Sequence, residues 1–248
     1  MPKLRFISGN TLKIIACLLM LIDHIGVILY PNTVWFRYVG RLAFPIFAFT
    51  LAEGCKYTRN KLKHFLLIFI AGVVYQIVFH FFSDGYLYLN ILITLSLAIL
   101  CIYALQFAKK IVFSNKNVWL KILAFVPFVL LLAFCYELSN RVQIDYGFIG
   151  VIMPVSASLL DFRNIDAPNV IKKCDNYLLR LLCMAGIVAL YVFTHADIRW
   201  ASWAFFAIII LLFYNEKKGK LKLKYLFHIF YPTHLVILEG IAMFLMQN

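Results

Sequence analysis

The feature that most constrains this chain is a succession of apolar stretches, most of them about as long as a membrane-crossing helix and joined by short connections. A helix needs roughly 17 to 25 mostly apolar residues to cross a bilayer. Stretches of that kind run from Leu12 to Tyr30, Val34 to Ala52, Leu62 to Phe82, Tyr86 to Phe107, Val118 to Tyr136 and Tyr177 to Phe193. Three more are shorter or broken: Phe148 to Leu160 with Pro154 inside it, Trp200 to Tyr214, and Tyr225 to Phe244 with Pro232. Interrupted segments of this kind lie next to cavities, where freed backbone groups find partners. A hydrophobic content of 64% and a mean hydropathy of +0.88 exclude an ordinary soluble globular protein. The expectation is an all-α, polytopic membrane helical bundle of about nine transmembrane helices, forming a single integral membrane domain over residues 1–248.

A net charge of +13 raises the question of nucleic acid. The cations sit in short clusters between apolar runs, without a basic face or a groove-reading motif, so no nucleic-acid partner is expected. Nine spans place nearly all of them on one side. The N-terminus, the even-numbered connections and the adjoining helix ends hold every Lys and Arg except Arg37, Arg41, Arg141 and Arg199. By the positive-inside rule the N-terminus is cytoplasmic and the C-terminus outside. Tyr30, Trp35, Phe81, Phe82, Tyr86, Tyr88, Tyr136, Tyr146, Trp200 and Trp203 then form the aromatic belt of the outer interface. The expected location is the bacterial cytoplasmic (inner) membrane, with membrane lipids as constant partners. Lys3, Arg5 and Lys13 before an apolar run resemble a signal peptide, but no small-residue cleavage site follows, and Asp23 and His24 interrupt the run. An uncleaved first helix is expected.

Cys17, Cys55, Cys101, Cys135, Cys174 and Cys183 show no CxxC or Cys/His metal spacing. They read as small buried hydrophobes, and no metal is expected. Gly219 lies in a basic loop that lacks the phosphate-binding GxxxxGK[ST] pattern.

The chemistry should therefore lie within the spans. On the first helix, Asp23 and His24 sit about seven residues, or roughly 10 Å, below the outer end at Tyr30. The second helix starts at Val34 and runs back, which puts Arg41 at about the same depth. The short link Pro31-Asn32-Thr33 makes the two helices antiparallel neighbours, so these side chains can meet. A charge at such depth costs about 2.5 to 3.5 kcal/mol on insertion scales. One reading is a structural ion pair of Asp23 and Arg41 with His24 as a packing residue. The other is a functional site. Arg37, Arg41, Pro45, Ala48 and Ala52 follow helical spacing and read as a cavity wall, with Pro45 freeing the carbonyl of Arg41. A neutral imidazole there is a general base for an acceptor hydroxyl or amine, while Arg41 stabilises a developing oxyanion. Neighbours on a helix diverge by about 100°, so Arg41 or another helix, rather than Asp23, is expected to orient His24.

Tyr231 and His234 share a face of the last span, where Pro232 frees the carbonyl of His228. Asn90 and Thr94 share a face of the fourth. Glu53, at the inner end of the second, is expected to pair with Lys56 and is as consistent with structure as with function. Asp145, Tyr146 and Gly147 form either a turn or a substrate contact at the outer mouth. His64, His80 and His195, near the interfaces, are read as solvated.

Leu12-Lys13-Ile14-Ile15-Ala16, leading to Met20-Leu21-Ile22-Asp23-His24-Ile25-Gly26, then Gly40-Arg41-Leu42-Ala43-Phe44-Pro45-Ile46-Phe47-Ala48-Phe49 and Glu53-Gly54, resembles the TraX family of membrane acetyltransferases. The likeness continues in Tyr214-Asn215 and in Phe230-Tyr231-Pro232-Thr233-His234-Leu235. The resemblance implies acetyl transfer, best known in this family as N-terminal acetylation of conjugative pilin. It also implies a distant similarity to the wider transmembrane acyltransferases, which use a buried His on the first helix and cytoplasmic acyl-CoA. Carried over, it makes His24 the catalytic base with Asp23 and Arg41 beside it. Arg37, Asn90, Tyr231, His234 and Glu53 become candidates for substrate binding. Lys56, Arg59 and Lys61 become candidates, on electrostatic grounds, for the phosphates of acetyl-CoA, the donor substrate. The acceptor is open: a peptide amine, a cell-wall sugar or a lipid headgroup would each fit. A secondary transporter or proton-coupled channel could use the same buried Asp/His/Arg set, although transport folds usually show an internal repeat and none is visible. An assembly factor without chemistry would leave the buried charges unexplained.

Overall fold

Apolar periodicity and capping residues give thirteen helices, described in a computed structural model over residues 5–82, 88–163, 165–220 and 226–247. Expectations resting on Lys3, Tyr86, Lys222, Lys224 and Tyr225 fall outside the described residues, as do those on the side chains of Phe81 and Phe82. Among the described residues the chain is all-α apart from one pairing of two-residue strands, β1 (Tyr88–Leu89) and β2 (Gln143–Ile144), which run parallel, and an isolated bridge between Ile7 and Tyr214. Five segments are long and apolar enough to cross a membrane: Gly9–Ile28, Lys61–His80, Ile91–Val112, Val118–Arg141 and Tyr177–Thr194. Gly147–Ser158, Ile198–Leu212 and Ile229–Leu245 are apolar but shorter.

The chain divides into two compact units, Met1–Thr50 with Val188–Asn248, and Leu51–Ile187. In the first, α1 (Gly9–Ile28) starts at Ser8, whose hydroxyl accepts from the Thr11 N–H. It packs against α2 (Val34–Gly40) and α13 (Leu226–Gln247). The α1/α2 approach is close enough that a Cβ on Gly40 would overlap the Asp23 side chain, which is why glycine stands there. The helix expected over Val34 to Ala52 is broken at Arg41 and Leu42, and α3 (Ala43–Tyr57) starts afresh. Pro45 is the physical cause: its ring clashes with the carbonyl four residues back, at Arg41, and it has no N–H to donate there. The same unit holds the end of α10 (Tyr177–Thr194), α11 (Ile198–Ser202) and α12 (Ala204–Leu212). The expected span from Trp200 to Tyr214 is thus also divided.

In the second unit α5 (Ile91–Val112) is central, packed by α4 (Lys61–Phe82), α7 (Val126–Arg141) and α8 (Gly147–Ser158). Asn90 caps α5 by accepting from Leu92 and Ile93, so the helix begins later than the expected Tyr86. The segment expected from Val118 to Tyr136 is interrupted between α6 (Val118–Leu123) and α7, next to Pro127. Tyr146 and Gly147, with φ of 60° and 56°, make a left-handed turn into α8. A four-residue helix, α9 (Asn169–Lys172), lies in the connection before α10.

Candidate functional site

The first unit brings Asp23, His24, Arg37, Arg41, Tyr231 and His234 into one cluster. Arg37 and Arg41 are one helical turn apart in sequence and both reach the Asp23 carboxylate. Arg37 Nη1 donates at 2.7 Å, and Arg41 Nη2 lies 3.3 Å from each oxygen. Arg41 also reaches the Tyr191 hydroxyl at 3.5 Å. Both guanidinium groups lie over the Trp200 ring, each 4.8 Å from its centroid. Two guanidinium groups thus face one carboxylate. The indole Nε1 of Trp200 is buried without an acceptor among the described residues.

His24 is oriented from a different direction. Its Nδ1 lies 2.9 Å from the Met20 carbonyl and 3.1 Å from Nε2 of His234. The Nδ1 of His234 lies 2.7 Å from the Phe230 carbonyl. A carbonyl only accepts, so both Nδ1 atoms carry hydrogen in the neutral rings. The Nδ1–H of His24 is therefore shared between Met20 and His234, and Nε2 is its one basic nitrogen. That nitrogen has no hydrogen-bond partner among the described residues, and the charges of Arg37 and Arg41 act on the ring. His234 is fixed in turn by stacking on Phe230, with ring centroids 4.8 Å apart. The Tyr231 ring stands edge-on to both imidazoles. The expectation that another helix orients His24 is met by α13.

Asn90, Glu53, Lys56, Arg59 and Lys61 belong to the other unit. The amide of Asn90 caps α5 and donates to the Gly72 carbonyl and Gln76 Oε1. Glu53 does not pair with Lys56. It forms a buried ion pair with Arg180 at 2.8 Å, while Lys56 pairs with Asp175 at 2.9 Å and Asp161 at 3.7 Å. Arg59 is exposed. Lys61 lies over the Tyr103 ring, 4.7 Å from its centroid. His64 is half-buried rather than solvated, because its Nδ1 meets the Tyr103 hydroxyl at 2.9 Å. His195 packs edge-on between Tyr191 and Trp200. Ala48 and Ala52 are buried.

Sequence reasoning missed Tyr191 and read Trp200 as an interfacial aromatic; nothing in the local pattern points to either. It also read Arg180 and Lys109 as topology signals. Both are buried, and Lys109 donates to the carbonyls of Ser158, Leu159 and Asp161. The available signal was the position of both at the ends of apolar helices, with Asp161 and Asp175 in the connection from α8 to α10.

The protein family described as TraX protein matches residues 8–242. A probable fimbrial assembly protein FimC, serogroup H1, of Dichelobacter nodosus is 27% identical over 96% of this chain and 97% of its own length. An uncharacterized protein of Rickettsia prowazekii (strain Madrid E) is 38% identical over 38% of this chain and 36% of its own. No solved structure matches the chain. The family match takes in α1, the divided second segment, and α13 up to residue 242, so the whole cluster around His24 lies inside it: the chain belongs to the TraX family.

Proposed function

We propose that the protein is a membrane-bound acyltransferase. It moves an acetyl or similar acyl group from acyl-CoA to an amine or hydroxyl of an extracytoplasmic or membrane-embedded acceptor. In this reading it crosses a bacterial inner membrane nine times, with its N-terminus cytoplasmic and its C-terminus outside. The distribution of Lys and Arg supports that topology. The fimbrial name of the Dichelobacter relative favours a peptide amine among the candidate acceptors.

The observation that carries the reading is the pinned tautomer of His24, whose Nε2 has no partner among the described residues and belongs to a cluster where two arginines face one carboxylate. Nε2 takes the proton of the attacking amine or hydroxyl as its nitrogen or oxygen bonds to the thioester carbonyl carbon. The carbonyl electrons move onto oxygen, where Arg41 and the indole N–H of Trp200 stabilise them. When the C–S bond breaks, the imidazolium returns its proton to the departing sulfur. The products are acylated acceptor and CoA. Of the donor-side cations, Lys56 is committed to two carboxylates, which leaves Arg59 and Lys61 for phosphate.

Replacing a general base costs about 10²- to 10⁴-fold in rate. Purified His24→Ala is expected to lose acetyl transfer to a peptide amine by that factor while staying monodisperse. Retained turnover would overturn the assignment, and proton flux in liposomes without transfer would favour the transporter.

A further inference from the structure

The second unit contains a small, solvent-open pocket lined by Lys56, Lys61, Lys110, Arg163, Asp161 and their neighbours. Its charges are unevenly matched. Lys56 is neutralised by Asp161 and Asp175. Among the described residues no carboxylate lies within ion-pair distance of Lys61, Lys110 or Arg163. Lys61 and Lys110 act on each other as like charges, and the Arg163 guanidinium lies over the Tyr57 ring, 4.2 Å from its centroid.

The backbone adds to the same field. Lys61 opens α4, a 22-residue helix whose first turn contains no acid, although that end of a helix carries partial positive charge and favours anions. Asn60 satisfies the N–H groups of Lys63 and His64. Those of Lys61 and Leu62 have no partner among the described residues. Unpaired cations around a concavity at a helix N-terminus are the components of a phosphate site.

We infer that this pocket binds a phosphate group, with Lys61, Lys110 and Arg163 as its cationic ligands. The 3′-phosphate or diphosphate of CoA and the phosphate of an anionic lipid headgroup share that chemistry. The inference rests on the acyltransferase reading only where it names CoA.

The test uses the full chain in nanodiscs of zwitterionic lipid. Calorimetry measures binding of CoA and 3′-dephospho-CoA, and native mass spectrometry measures retained phosphatidic acid. Lys61→Gln, Lys110→Gln and Arg163→Gln are each expected to weaken the bound probe about tenfold, the loss of one charge-assisted contact to phosphate. Lys63→Gln, in the same helical turn but not lining the pocket, is expected to bind as wild type. Loss of CoA affinity identifies a nucleotide site, and loss of phosphatidic acid a lipid site. Wild-type binding of both probes by all three pocket variants overturns the proposal, as does failure of the unaltered protein to bind either. If the pocket variants lose binding while no acyl transfer is ever detected, the pocket stands and the catalytic reading falls. If transfer persists with unaltered binding in those variants, the pocket falls alone.

Discussion

Two buried charge networks, one in each unit, are built from the same residue types and differ in how they are completed. In the unit Leu51–Ile187, the cations Lys56, Lys109 and Arg180 face the carboxylates Glu53, Asp161 and Asp175, so the charges balance. Lys109 is further satisfied by three carbonyls, and Arg180 Nε by the Ala157 carbonyl at 2.9 Å. In the other unit, two arginines face one aspartate, and the Asp23 and Arg37 side chains keep 13% and 23% of their surface. An imidazole nitrogen and an indole N–H there have no partner among the described residues. Matched charge distinguishes the first network. The second, with two arginines on one carboxylate, is the one on which the acyltransferase proposal rests. Burial alone does not separate them, since Arg41 is buried as well as Arg180.

The largest expected effect breaks the balanced side of this contrast. Removing one partner of a buried ion pair costs about 3 to 5 kcal/mol, because the other charge stays buried and uncompensated. Arg180→Met should therefore lower the thermal unfolding midpoint sharply and reduce the yield of monodisperse protein. Pairing it with Glu53→Leu should recover most of the loss, because an apolar pair of similar volume is often neutral or better. A double variant no more stable than the single one would show that the network does more than hold helices. His24→Ala, on the other side, should leave the unfolding midpoint near wild type while transfer is lost.

An intermediate effect tests how tightly the functional cluster is assembled. Gly40→Ala places a methyl group where the Asp23 side chain lies. Overpacking of this kind costs about 1 to 3 kcal/mol, and the shift should also displace the carboxylate between Arg37 and Arg41. Loss of both stability and transfer is expected, with purified protein compared in thermal melts and rate assays. Unchanged transfer would mean that the Asp23 clamp is not needed in its observed geometry.

What the sequence disclosed follows the reach of each interaction. Asp23 meets Arg37 and Arg41 because a three-residue link, Pro31 to Thr33, leaves the two helices no other arrangement. The break before Ala43 is local too, and Pro45 dictates it. The Glu53–Arg180 pair depends on which faces of distant helices pack together, and apolar periodicity says only that a face is buried. Cations near helix ends, such as Arg180 and Lys109, resemble interfacial residues until their buried partners are known. Asn90 stood inside an apolar run and read as a polar point within a span. Its side chain instead starts the helix, because an amide at that position satisfies two N–H groups that the first turn leaves open. The partnership of His24 with His234, separated by 210 residues, was visible only as two polar points that each asked for an explanation.

The smallest effect concerns that partnership. His234 accepts from Nδ1 of His24, but the same hydrogen also has the Met20 carbonyl at 2.9 Å, so removing His234 does not free the tautomer. It removes one of two restraints on the ring. His234→Leu is therefore expected to lower kcat about tenfold, or about 1.4 kcal/mol, with little change in KM, since misplacement of a catalytic group costs rate. In His234→Gln the side-chain oxygen can stand near the place of Nε2 and accept the same hydrogen, so a deficit of only a few-fold is expected. That ordering separates orientation from proton transfer, because an amide can orient an imidazole but cannot relay its proton. If the Gln variant were as inactive as His24→Ala, His234 would carry the proton itself, and the unused nitrogen of His24 would no longer single it out as the base.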